Sequence, residues 1–262
     1  MKIAVCIKQV PDTDSRLRVN GDGTWVVEED LPFTINESDE CALEEALQIA
    51  ADHEAEVAVF SLGPARVSEA LRKALALGAD RAVHLEDPAF SGGDASATAK
   101  ALAAAVGRES FDLVLTGSQS SDMGYGVTAS LLAAELELPH AWLVMGIEIE
   151  EGRVKVVREM ESGKNEIFRV DLPAVLEVQA GINQPRYASL KGIMQAKRKP
   201  VEKIGVADLG LETAAVGAAG SRVELLCVQF PDSGGGAQML EGDPATVAAE
   251  LVQKLQKEAR VL

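Results

Sequence analysis

Through its first two-thirds the chain alternates short β-branched runs with helical patterns. That alternation admits little besides an α/β fold: a Rossmann-like, largely parallel sheet with helices on both faces. KIAVCIK (2–8), EVAVFS (56–61), RAVHL (81–85) and FDLVLTG (111–117) read as strands. SDECALEEALQIAAD carries Leu43, Ala46, Leu47 and Ala50 at helical spacing, and SEALRKALALG ends on Gly78, where a left-handed cap is favoured. Asp94 stands as the cap of a helix over 95–106, and VTASLLAAEL (127–136) is a further helix. Between the first strand and first helix, LRVNGDGTWVV suggests a small hairpin around Asn20-Gly21-Asp22-Gly23.

After Pro139 the period changes. AWLVMGIEIE, GRVKVVRE, NEIFRVD and AVLEVQ read as an antiparallel meander with turns at Glu151-Gly152 and Ser162-Gly163. Residues 205–222 read as an extended linker, VELLCVQF (223–230) as a strand, and Gly234-Gly235-Gly236 as a break. A terminal helix starts at Asp243-Pro244. The expected organisation is an α/β nucleotide-binding body over 1–200, with antiparallel strands at about 141–180 and a loop at about 183–199, followed by an extended arm and helix over 201–262 that wrap a partner.

Composition excludes several function classes. With 25 Lys+Arg against 41 Asp+Glu the net charge is −16, which disfavours a nucleic-acid surface, and 4% aromatics leave little for base stacking. No apolar run reaches the length of a membrane span, and Lys8 closes the first apolar stretch too early for a signal peptide, so an integral membrane protein is not expected and a cytoplasmic location is. Cys6, Cys41 and Cys227 are far apart in apolar contexts and read as core packing; His53, His84 and His140 are equally scattered, so no metal site is expected.

The first strand–helix connection, Lys8-Gln9-Val10-Pro11-Asp12, lacks the glycines of a dinucleotide fingerprint. The loop TGSQSSDMGYGVTAS (116–130) is the strongest local candidate. Gly117, Gly124 and Gly126 permit close backbone approach, Ser118, Ser120, Ser121 and Thr128 offer hydroxyls, and the next helix offers free N–H groups. Asp122 cannot cradle phosphate, but it can fix the loop or accept from a ribose hydroxyl. Two readings stand for this loop, a phosphate cradle and a plain turn with a cap. Two also stand for Asn36-Glu37-Ser38-Asp39, where simple helix capping competes with a part in the same pocket. If strands 2–8, 56–61 and 111–116 are neighbours, these loops and Phe60-Ser61-Leu62-Gly63 converge on one sheet edge, in a pocket able to hold an adenine nucleotide with no catalytic residue. Segment 185–199 interleaves Leu190, Ile193 and Met194 with Arg186, Lys191, Lys197, Arg198 and Lys199, which suits docking to an acidic partner with an apolar pocket.

Together these residues resemble the beta subunit of electron transfer flavoprotein. The likeness runs through Lys8, Pro11 and Asp12, Asn36 with Glu44-Glu45-Ala46, Gly63-Pro64-Ala65, and Ala74 to Arg81. It continues through the Gly117–Thr128 loop, Leu172-Pro173-Ala174-Val175, Asn183 to Leu190, and Ile193-Met194 with Ala196-Lys197. The resemblance implies a non-catalytic electron carrier, paired with an alpha subunit that holds most of the FAD, passing electrons from flavin dehydrogenases such as those of acyl-CoA oxidation to a quinone-linked oxidoreductase. It implies AMP in this chain, held by Cys6, Asn36, Glu37, Ser38, Asp39 and Leu62, with Gln119, Ser120, Ser121, Asp122, Gly124, Tyr125, Gly126, Val127 and Thr128. It makes Leu190 the anchor that docks dehydrogenases, with Ile193, Met194, Lys191 and Lys197 around it, and brings Glu159 toward the flavin-bearing domain. Relatives that hold a second FAD and split electrons between two acceptors place an acid two residues after the loop aspartate, where this chain has Gly124. A flavin-free nucleotide sensor of related fold is the remaining alternative.

Overall fold

The first strand, β1 (Lys2–Cys6), is apolar on both faces, as a strand covered by helices on each side must be. The computed structural model describes residues 1–29, 31–231 and 236–262. Along the chain β1 is followed by β2 (Gln9–Pro11), β3 (Phe33–Ile35), α1 (Glu37–His53), β4 (Glu56–Leu62), α2 (Val67–Leu77), β5 (Arg81–Leu85), α3 (Ala95–Val106), β6 (Leu113–Gly117) and α4 (Thr128–Glu135). Then come β7 (His140–Glu150), β8 (Arg153–Met160), β9 (Lys164–Asp171), β10 (Ala174–Val178), α5 (Leu190–Ala196), β11 (Val201–Ile204), α6 (Gly217–Gly220) and α7 (Pro244–Lys254).

Among the described residues nine strands form one sheet in the order β11-β5-β4-β1-β6-β10-β7-β8-β9. Every pairing from β11 to β7 is parallel, and only β7-β8-β9 is antiparallel. Ile3, Val5, Val57 and Leu115 pack beneath α1 and α2, whereas Ala4, Phe60, Val83 and Val114 pack beneath α3 and α4. The chain runs outward from β1 through β4 to β5, then returns to lay β6 on the other side of β1. Loops leaving the carboxyl ends of β1 and β6 therefore part in opposite directions and open a crevice between them.

Several expectations change. AVLEV leaves the meander: β10 lies parallel between β6 and β7 with every residue buried, Glu177 included, because a strand with apolar side chains on both faces belongs inside the sheet. The small hairpin shrinks to one bridge, Val19 to Val26. Residues just past 200 join the body as β11, and 205–222 fold into short helical turns with Val206 and Val216 buried, so this stretch is no extended linker. Segment 223–230 forms no strand, and Cys227 is exposed rather than packed in the core. Of the anticipated glycine break, Gly234 and Gly235 lie outside the described residues. Asp243 caps α7, accepting from the N–H groups of Ala245 and Thr246.

Candidate functional site

Asp39, in the first turn of α1, sits behind the crevice and ties its two sides together. Its carboxylate accepts from the Lys8 N–H at 2.7 Å and the Gly117 N–H at 2.9 Å. Burial pushes this carboxyl up to about 7, against the pull of those two N–H groups. The approach leaves room only for glycine at 117, since a Cβ there would run into the Asp39 carboxylate and the Ser38 hydroxyl. Neighbouring Cys6 is pushed up to about 12 by burial and then by the charge of Asp39, so its thiol is no nucleophile.

Asn36 occupies the cap position of α1 but makes no capping hydrogen bond. Its amide instead donates to the Gln119 carbonyl at 2.9 Å and the Ser38 hydroxyl at 3.0 Å, and its oxygen accepts from the Ser121 N–H at 3.0 Å. The Ser38 hydroxyl donates to the same Gln119 carbonyl at 3.2 Å. Simple capping therefore fails for Asn36, which staples the β6–α4 loop to α1. Lys8 closes the loop from the other side, its ammonium 2.6 Å from Asp122. Gln119 reaches forward to the Gly124 carbonyl at 3.1 Å. No side chain caps α4, so the N–H groups of its first turn are left for another acceptor.

The crevice has a volume of about 960 Å³. Cys6, Asp39, Leu62, Gln119, Ser120, Asp122, Tyr125, Gly126 and Thr128 line it. Asn36 and Ser38 stand behind the lining as supports, Gly124 shapes the loop at φ 63°, and Glu37, Ser121 and Val127 are exposed outside the lining, Ser121 tied to Asn36 by its N–H. The sequence reading missed the far wall, formed by Phe90 and Gly92 to Asp94, and the tail that crosses it. Asp94 caps α3 with one oxygen and accepts from the N–H groups of Arg222 and Val223 with the other, which brings Val223 and Leu225 into the lining. The cap motif signalled Asp94; nothing local signalled its second oxygen's role.

Two cations, Lys8 and Arg66, line the crevice, and both are spoken for: Lys8 by Asp122, and Arg66 by Glu28 and Gln9. An anion entering here would meet hydroxyls, backbone N–H groups and the positive end of α4 rather than free side-chain charge.

The second candidate region starts one turn further along α1. The Asn183 amide donates to the Cys41 carbonyl at 3.0 Å and to Glu45 at 2.9 Å. Arg186 grips Glu44 through Nε at 2.7 Å and Nη2 at 2.8 Å. Burial alone would raise the Glu44 carboxyl, but the Arg186 hydrogen bonds outweigh it and hold it below its ordinary value. Beyond this grip the chain turns outward as α5. Leu190 is 84% exposed and Met194 65%, with Ile193, Lys191 and Lys197 also on the surface.

A model of the electron transfer flavoprotein domain matches residues 24–209. The chain is 42% identical over 257 residues to the electron transfer flavoprotein subunit beta of Methylophilus methylotrophus, covering 97% of both chains. The chain belongs to the electron transfer flavoprotein family, among its beta subunits. It is also 37% identical over 256 residues to the subunit beta of Thermoanaerobacterium thermosaccharolyticum, covering 97% of this chain and 98% of the other. Identity is 38% over 260 residues to subunit CarD of the caffeyl-CoA reductase–Etf complex of Acetobacterium woodii, covering 98% of both. A beta subunit of this family works in electron transfer, in association with flavin and an alpha subunit. Among the described residues no helix is long and apolar enough to cross a membrane.

Proposed function

We propose that this beta subunit, joined to an alpha subunit in the cytoplasm, carries electrons from flavin dehydrogenases such as acyl-CoA dehydrogenases to a quinone-linked oxidoreductase. FAD, held mainly by the alpha subunit, supplies the redox chemistry; no residue of this chain serves as acid, base or nucleophile. The crevice takes AMP as a structural ligand. Its volume suits a mononucleotide, apolar Leu62 and Phe90 line it, and Ser120, Thr128 and the first turn of α4 offer donors for a phosphate. Both lining cations are already paired, which favours a single phosphate over the two of a dinucleotide. The segment 223–262, whose described residues bury little against the body, wraps the alpha subunit.

The observation that carries the reading is the outward presentation of Leu190 together with Ile193 and Met194 on the one short helix α5, a grouped apolar patch rather than a single exposed side chain. Leu190 enters an apolar pocket of the dehydrogenase, with Ile193, Met194, Lys191 and Lys197 around it. Stopped-flow reduction of the heterodimer tests this: Leu190→Ala slows reduction by an acyl-CoA dehydrogenase at least tenfold, the loss expected of an interface anchor, with alpha-subunit binding intact. An unchanged rate would contradict the anchor role.

A second reading replaces AMP by a second FAD and splits electrons between two acceptors. The likeness to subunit CarD of a caffeyl-CoA reductase–Etf complex favours it, whereas Gly124 in place of an acid and the paired cations count against it.

A further inference from the structure

The stretch 183–199 carries five cations, but the structure divides them into two kinds. Arg186 and Lys199 are engaged by the body, although the Arg186 side chain stays 43% exposed. Arg186 spends its guanidinium fork on Glu44, to which its own backbone N–H also donates at 3.2 Å. Lys199 donates to the Ala79 carbonyl at 2.6 Å. Arg72 of α2 reaches the same end of the loop, donating to the carbonyls of Ala196 at 2.7 Å and Lys199 at 2.5 Å. Between the two ends α5 presses on α2 so closely that a Cβ on Gly192 would strike the Ala76 carbonyl. Lys191, Lys197 and Arg198 have no carboxylate partner among the described residues.

Glu44 is only 5% exposed and is fixed from behind by the Gln48 amide at 2.9 Å. A bidentate guanidinium–carboxylate pair on such a base fixes direction as well as position, which a lysine ammonium cannot do. A loop held this way enters a complex already ordered and loses little conformational entropy there.

We infer that Glu44 and Arg186, with Asn183 at one end and Arg72 at the other, form a mount that presents the 183–199 loop ready-shaped, so that Arg186 is a positioning residue and not a docking cation. The inference rests on the reading of this loop as the docking element. It narrows that reading to the cations left over: Lys191, Lys197 and Arg198, and not Arg186, meet carboxylates around the pocket that takes Leu190.

Glu44→Gln separates the two roles of Arg186, because it releases the guanidinium without removing it. The experiment uses the full heterodimer with an acyl-CoA dehydrogenase as electron donor, following the KM for the heterodimer, kcat, salt dependence, and amide exchange over 183–199. As a mount, Glu44→Gln raises KM roughly tenfold with kcat kept, speeds exchange across the loop, and leaves the salt dependence as in the parent. Arg186→Lys behaves the same way, whereas Lys197→Gln flattens the salt dependence without speeding exchange. Loop exchange unchanged in Glu44→Gln, or a KM that stays unchanged or falls in it while Leu190→Ala raises KM, would overturn the inference. Leu190→Ala run alongside identifies a different failure. If it leaves KM and reduction rate unchanged while Glu44→Gln still speeds exchange, the mount stands and the docking reading falls.

Discussion

At its first turn α1 holds the 117–124 loop with short side chains that reach backbone groups; one to two turns later it holds the 183–186 segment with long charged ones. Asn36, Ser38 and Asp39 meet the Gln119 carbonyl and the N–H groups of Ser121, Lys8 and Gly117, whereas Glu44 and Glu45 meet the side chains of Arg186 and Asn183. The crevice side turns its lining inward, and the loop side turns Leu190 out. One helix thus fixes both a pocket and a projection. The two grips differ in what breaks them: one satisfies backbone donors that have nowhere else to go, and the other balances a charge.

The largest effect is expected at the crevice. Asp39→Ala leaves the Lys8 and Gly117 N–H groups without acceptors and lowers unfolding free energy by roughly 2–4 kcal/mol, the cost of unpartnered buried donors. Urea unfolding of the purified heterodimer measures it, and a loss near zero would mean that the two sides of the sheet need no tie.

Proton linkage separates the ends more finely. Asp39 binds its proton more tightly in the fold than its ordinary value of 3.8, so its contribution to stability is fully present below that value and lost as pH rises toward about 7. Glu44 runs the other way. Its carboxyl is held below the ordinary 4.5, so its contribution is present above that value and lost as pH falls through its folded value. Between pH 5 and pH 8 the urea midpoint should therefore fall less in Asp39→Asn than in the parent chain, while Glu44→Gln leaves the fall unchanged. Equal falls in Asp39→Asn and the parent would contradict the assignment.

Much of the fold was legible because local rules and tertiary packing agree. RAVHL is β5 residue for residue, and Asp94 caps α3 as its position before an apolar helix suggests. Misreadings arose where the deciding partner is distant in sequence. β10 looks like one more meander strand until β6 and β7 are known to flank it. Asn36 looks like a cap until the Gln119 carbonyl competes for its amide from 83 residues away. Arg186 looks like one cation among five until Glu44, 142 residues earlier, claims it. The crevice itself was foreseeable, since β4 and β6 lie on opposite sides of β1 and the loops leaving the carboxyl ends of β1 and β6 must part there. Its far wall depends on a tail whose course no local pattern sets.

The most direct test of the central claim is a nucleotide count. The chain is co-expressed with its alpha subunit, the heterodimer is purified and denatured, and the released nucleotides are quantified. One AMP and one FAD per heterodimer is the predicted result. Two FAD and no AMP would contradict it in favour of the electron-splitting reading, and neither nucleotide would contradict the carrier reading altogether.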